Sequence, residues 1–420
     1  VENLTAAPSI RSRWEAAARL VAASRDLLEA RPGARGGDPP LALLSRGWAP
    51  FLLSLGEDEL VAFETRGHHA GWPARSPPTL VALAERAREV CTLPAFAPTE
   101  ASASTARARR GETPRKRAQI DAFARLVAPL AARARRVLDV GSGHGHLTRD
   151  LAGQLGLPVL GLERDPALAG RARSLSSGAS LTAATSATLP TFVVTDVLRD
   201  GLALSEGDCV IGLHACGELG ELMVTSVARA RGVGLVLVGC CPQKRRQTSR
   251  IPLATLATPD DALAAALDLP RGLLGLGNLA ARDEGVEATR TENLAARERR
   301  LALNRLLSEG GAPLRLGSEI DGLNRRTAQR DLSWLVARAF TLRGRPVPSH
   351  TVIDEAAAWA RVEHARARRL SVPRALLARV LEVYVLLDRA AYLEAHGLRV
   401  EVGELFPAAV SPRNLALVAR

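Results

Sequence analysis

Lysine is almost missing from this 420-residue chain: of 56 basic residues only Lys116 and Lys244 are lysines, the rest being arginine. Aromatic residues make up 3%, and methionine occurs once. A chain this long can bury a sizeable core, and here that core must be built from Ala, Leu and Val. No stretch of about 18 uncharged apolar residues occurs, so no membrane-spanning helix is expected. Val1–Arg13 lacks the basic-then-apolar order of a secretory signal. The five cysteines (Cys91, Cys209, Cys216, Cys240, Cys241) form no evenly spaced framework. That argues against a disulfide scaffold and for a reduced, cytoplasmic setting. What is abundant is positive charge. A net +12 points to an acidic partner, with RNA the leading candidate. An arginine excess beside abundant alanine is also what a GC-rich coding bias produces, and charge alone leaves both readings open.

Length suggests two or three structural units. Residues 1–96 read as a helical region, with apolar residues three and four apart in Trp14–Leu28 and Leu80–Val90. Residues 97–114, rich in Ala, Ser, Thr and Arg, read as a linker. From residue 115 short apolar runs alternate with helical segments, as βαβ units do. Strands are expected at Arg136–Val140, Pro158–Glu163, Thr191–Asp196, Cys209–His214 and Gly234–Cys240, and helices at Ile120–Arg133, His146–Leu155 and Leu219–Ala230. The rhythm breaks over 256–370, a helical and charge-rich insertion. It resumes over 371–420 with helix Pro373–His396 and strands Leu398–Phe406 and Asn414–Ala419. Five parallel strands followed by a final pair differ from the simple dinucleotide-binding sheet, which has six strands, all parallel.

The most informative stretch is Val137-Leu-Asp-Val-Gly-Ser-Gly-His-Gly-His146. An apolar strand runs through Asp139 into Gly141, Ser142, Gly143 and Gly145, then into a helix. Glycines let the backbone approach a ligand where a Cβ would clash, and the helix N-terminus suits a carboxylate. The dinucleotide fingerprint wants a third glycine where His146 stands, and Asp139 would repel a pyrophosphate while accepting a hydrogen bond from an ammonium group. The pattern therefore points to S-adenosyl-L-methionine rather than NAD. Glu163, ending the second strand, is placed to accept both ribose hydroxyls; Asp196 and Val197, ending the third, are placed for the adenine. A solvated strand end is the plain alternative for either acid.

The fourth strand ends in Gly212-Leu-His-Ala-Cys-Gly217 and the fifth in Gly239-Cys-Cys-Pro242. This motif pair resembles the methyltransferase-like protein 25 family, related to the ribosomal RNA adenine dimethylase domain-containing proteins. Thr113-Pro-Arg-Lys-Arg117, Leu386-Leu-Asp-Arg-Ala-Ala-Tyr-Leu-Glu394 and Phe406-Pro-Ala-Ala-Val-Ser-Pro-Arg-Asn414 resemble further segments of that family, whereas 256–370 aligns with nothing in it. Pro242 and Pro407 depart from the family's usual aromatic and Asp, respectively. The resemblance implies an α/β fold of class I methyltransferase type. That means a Rossmann-like seven-stranded sheet with its last strand antiparallel, to which the sequence pattern adds an N-terminal helical region and a helical insertion after the fifth strand. It implies methyl transfer more firmly than any substrate.

On the acceptor side Lys116, His214, Cys240 and Cys241 are the candidate catalytic residues. His214 could act as base or order its loop. The lysines could bind phosphate or lower a hydroxyl pKa, or stand where they do by chance. A zinc site at Cys216, Cys240 and Cys241 is discounted, because the adjacent pair lacks the usual two-residue spacer, so no metal is expected. The function expected is S-adenosylmethionine-dependent methyl transfer, with RNA as acceptor. The alternative is a catalytically inactive fold that binds RNA or cofactor. No membrane partner is expected, and the oligomeric state stays open.

Overall fold

The computed structural model describes residues 8–32, 37–96, 113–177, 189–257, 260–277, 290–309, 314, 317–323 and 330–420. Apart from Thr113 and Pro114, the expected linker lies outside the described residues. By internal contacts the chain forms two interleaved compact units. One comprises 1–23, 89–281 and 378–420, and the other 24–88 and 282–377. The expected insertion at 256–370 is thus shared between them.

The first unit is built on seven strands: β1 (Arg136–Val140), β2 (Val159–Glu163), β3 (Thr191–Val194), β4 (Asp208–Cys216), β5 (Gly234–Cys240), β6 (Val400–Glu404) and β7 (Leu415–Ala419). Their order across the sheet is β3-β2-β1-β4-β5-β7-β6. The first five pair parallel, and β7 lies antiparallel between β5 and β6. This is the class I methyltransferase sheet, with the expected antiparallel last strand. Its parallel strands are nearly continuous apolar runs because both faces are covered. On one face Phe123, Val127, Leu147 and Leu151 pack against Val137, Ile211, Val236 and Val238.

Four helices of this unit bear on the site: α1 (Pro114–Ala131), α2 (His146–Leu155), α3 (Pro166–Ser177) and α4 (Glu218–Arg229). Helix α1 starts six residues before the expected Ile120. Thr113 caps it, its side chain accepting from the Lys116 N–H, and Pro114 sits at the tolerant first position. The Thr113–Arg117 segment that resembles the family is therefore its cap and first turn. Helix α3 was not anticipated. Asp165 starts it by accepting from the Ala167 and Leu168 N–H groups. Strand β3 ends at Val194 rather than Asp196, because Asp196 caps the short helix Val197–Asp200 instead. Strand β4 runs on to Cys216 through a bulge between Leu213 and Ala215.

The second unit is helical. Leu303, Leu306, Leu335, Val336, Phe340 and Ile353 form its core, drawn from helices Arg290–Ser308, Leu332–Leu342 and His350–Leu370. Arg368 joins Glu57 and Glu64, each at 2.8 Å, so the early helices and the insertion helices share this unit.

Candidate active site

A cleft of about 470 Å³ opens at the carboxyl ends of β1, β2, β3 and β4. This is where open α/β sheets bind ligands. It brings together Gly141, Glu163, Asp196, Val197, His214, Cys216 and Lys244, residues that the sequence spreads over more than a hundred positions. A second cleft, about 450 Å³, lies at the opposite end of the sheet, around Gly207, Gly232 and Arg420, away from every motif singled out above.

The glycine loop is held against β2 by two backbone bonds, Gly141 N–H and Ser142 N–H both donating to the Leu162 carbonyl. Gly143 has a left-handed φ of 56°, and a Cβ added there would meet nothing within 4 Å. The loop thus keeps open space that a side chain would fill. Gly145 does the reverse: a Cβ would run into the Phe192 ring, so glycine there lets α2 close on the sheet. Glu163 joins the two sides of this cradle, accepting from the Gly143 N–H and the Asp165 N–H, each at 2.9 Å. A carboxylate has about four acceptor sites, so each Glu163 oxygen retains capacity for a ligand hydroxyl. Asp196 accepts from the Leu198 N–H at 3.2 Å while lining the cleft.

Asp139 does not line the cleft. It is buried, accepting from the Thr148 hydroxyl at 2.7 Å, and so pins the first turn of α2 to β1. Burial, added to by the Glu163 charge, raises its pKa to about 6, against the pull of the Thr148 bond. The Ser142 hydroxyl is also turned away from solvent. Lys116 stands exposed in the first turn of α1, outside the cleft lining.

His214 sits in the β4 bulge with φ 66°, a strained value for a residue with a Cβ. Its Nε2 meets Gln119 Oε1 at 2.8 Å. An amide oxygen can only accept, so with this amide orientation the ring carries its proton on Nε2 and leaves Nδ1 as a bare lone pair. Nδ1 is buried with no protein partner among the described residues. Burial, then the Arg413 charge, lowers the His214 pKa to about 4, so the ring is neutral near pH 7. Sequence reasoning missed Gln119. The only signal was a polar residue beside the apolar stripe of α1, with its partner 95 residues away.

Beyond His214 the ends of β4 and β5 interlock. The Lys244 carbonyl accepts from the Glu218 N–H, and Gly217 must be glycine because a Cβ would strike that carbonyl. Arg389 donates to the Gly217 carbonyl at 3.0 Å from the long helix α5 (Val372–Ala395). Asp388 beside it accepts from Arg250 at 2.5 Å and from the Leu253 and Ala254 N–H groups at 2.9 Å. Asn414 is buried, donating to the Phe406 carbonyl and accepting from Arg379. The late motifs are thus braces behind the cleft rather than parts of it.

Cys240 and Cys241 lie behind Cys216, beside a small cavity lined by Glu382, Arg389 and Arg413. The Cys216 and Cys240 sulfurs are 2.6 Å apart. Each also lies against the His214 carbonyl, at 3.3 and 3.2 Å respectively. Hydrogen bonds from Cys216 and Cys240, with Arg413 and Lys244 nearby, hold the Cys241 thiol well below the usual range, while contacts with Cys216 and Cys241 and burial push Cys240 far up.

Residues 115–248 match the family model described as a methyltransferase domain. The chain therefore carries a methyltransferase domain. It is a class I domain by its sheet order, and S-adenosylmethionine is the cofactor of that class. Solved structures similar to it include a TehB-like SAM-dependent methyltransferase from Corynebacterium glutamicum, at 24% identity over 28% of this chain and 60% of that one, TM-score 0.22. The magnesium protoporphyrin IX methyltransferase of Synechocystis matches at 24% identity over 29% and 53% of the two chains, TM-score 0.24. The CcbJ methyltransferase of Streptomyces caelestis matches at 19% over 32% and 54%, TM-score 0.23. The chain thus spans between 53% and 60% of the length of these structures. Scores this low say nothing about substrate. No described helix is long and apolar enough to cross a membrane.

Proposed function

We propose that the chain is an S-adenosylmethionine-dependent methyltransferase that acts on RNA, akin to the family its cysteine motifs resemble. The observation that carries the cofactor half is the cleft at the carboxyl ends of the strands, lined by Gly141, Glu163 and Asp196, with the Gly143 N–H bonded to Glu163. Glu163 and Asp196 would hold the ribose and adenine, and the N-terminus of α2 would face the carboxylate. The bound cofactor supplies an activated methyl group on a sulfonium. What remains for the protein is to hold a nucleophile in line with that methyl and keep water away. His214 lines the cleft, and its Nδ1, buried in the fold, is a neutral acceptor that would take a hydrogen bond from an acceptor N–H or O–H admitted beside the ring. With its pKa near 4 it orients that group rather than stripping its proton early.

The RNA half rests on charge. Lys244 and Arg246 stand exposed at the cleft, Arg164 lines its other side, and the whole chain carries +12. Two measurements test the two halves separately. Calorimetric titration of the cofactor should give binding that Gly143→Asn weakens at least about tenfold without moving the melting temperature, since Asn tolerates the left-handed backbone. Unchanged affinity would remove the cofactor assignment. Incubation with tritiated cofactor and fractionated lysate should put label into RNA. Label confined to protein or small molecules would remove the RNA half and leave the methyltransferase standing.

A further inference from the structure

The thiol cluster at the ends of β4 and β5 is not needed by the steps above, yet the fold strains to assemble it. In an extended strand successive side chains point to opposite faces, so Cys240 and Cys241 would diverge. Cys241 instead takes a left-handed φ of 43° just past the end of β5, which turns its side chain back. The neighbouring strand supplies Cys216, and the three sulfurs lie within 4.8 Å of one another. The missing spacer that counted against zinc in the sequence is replaced by this turn and by the third thiol. A non-glycine residue held in the left-handed region costs on the order of 1–3 kcal/mol and persists where function fixes it.

We propose that Cys216, Cys240 and Cys241 form a binding site for one thiophilic metal cation of the zinc class. Three thiolates are a common part of structural and catalytic zinc sites, and zinc takes four ligands in all. Cys216 lines the cofactor cleft and is partly exposed, so an incoming ion has an entry path and its fourth position can be taken by water or a substrate atom. Three thiolates around a dication leave one net negative charge. The Lys244 ammonium and Arg413 guanidinium both act on Cys241 and offset it. Such an ion would tie β4 to β5 where the acceptor is held, and its binding does not depend on methyl transfer.

The test uses the full chain, purified reduced and without air, and titrated with Co²⁺ as a spectroscopic stand-in. One equivalent should bind and give an intense near-ultraviolet sulfur-to-cobalt charge-transfer band of a three-thiolate site, bleached by one equivalent of Zn²⁺. Cys216→Ser and Cys241→Ser should each weaken Co²⁺ binding at least about tenfold, and Cys91→Ala should not. Both cysteine variants should still melt cooperatively. Absence of the band in the wild-type chain overturns the site, whatever the variants do. So does a band that survives Cys216→Ser.

Discussion

Ending the chain at Gly397 removes β6 and β7 while leaving every residue that lines the cofactor cleft. Strand β7 is not an edge: it pairs with β5 from Leu235↔Ala419 to Val238↔Ala416 and with β6 on its other side. Six large side chains are lost from buried positions: Val400, Val402, Phe406, Leu415, Leu417 and Val418. At about 1.5–3 kcal/mol each, their burial amounts to about 9–18 kcal/mol, against a typical whole-domain stability of about 5–15 kcal/mol. The figures are upper bounds, because the unfolded chain already buries part of this surface. Even half of the lower bound is a large share of the total. Loss of β7 also bares the hydrogen-bonding edge of β5, a template for aggregation. The truncated chain should be insoluble or lack a cooperative transition by circular dichroism, and should bind no cofactor by calorimetry. A truncated chain that melts cooperatively within a few degrees of the full-length temperature, with cofactor affinity intact, would refute the account of the sheet.

His214 is neutral in the fold, with a pKa near 4 against an ordinary 6.5, so its unfolded form binds the extra proton. Its contribution should be intact above pH 6.5 and be lost as pH falls towards 4, by at most about 3 kcal/mol. Asp139 and Glu382, raised to about 6 and about 7 by burial, act in the opposite direction. The measurement is therefore the wild-type melting temperature minus that of His214→Asn across this range. A difference that stays flat from pH 7 to 4.5 would show that the ring is not held neutral. Asp388→Ala should cost about 3–5 kcal/mol by leaving Arg250 buried with one of its two carboxylates gone. Arg250→Met added to it should recover part of that loss in denaturant unfolding, and a strictly additive pair would argue against the coupling.

Most strands were legible because burial on both faces makes them short apolar runs, and β1 and β5 fall where the sequence places them. The glycine loop was legible because strand, turn and helix agree within ten residues. Ends fixed by a single side chain were harder. Thr113 and Pro114 carried a capping signal, but the arginine-rich composition around them read as linker. The Asp165-Pro166 start of α3 was an equally plain signal that went unused. Asp139 illustrates a deeper limit: its position in the loop motif suggests a ligand contact, whereas a hydroxyl nine residues on takes its carboxylate inward. The Gln119–His214 bond, the Asp388–Arg250 pair and the convergence of three thiols depend on which distant segments the topology brings together, and local pattern holds no record of that.

Strain is distributed unevenly over this end of the sheet. Where β1 turns into α2, left-handed backbone is met by glycine at 141, 143 and 145, at little steric cost. Where β4 and β5 end, positive φ falls on Gly217 but also on His214 and Cys241, the only non-glycine residues with positive φ among those described. Shape alone would be served better by glycine at both. A side chain is retained there at a cost on the order of 1–3 kcal/mol each, and each carries a reactive atom: a buried imidazole nitrogen without a protein partner among the described residues at one, a thiol whose pKa its neighbours lower at the other. The two positions lie on adjacent strands, joined through the His214 carbonyl that touches the Cys216 and Cys240 sulfurs. The backbone of the glycine loop is thus shaped by residues that have no side chain to offer, and the ends of β4 and β5 by residues kept for theirs. Under the proposed function, variants meant to change the acceptor should be made at His214 and Cys241 rather than in the glycine loop.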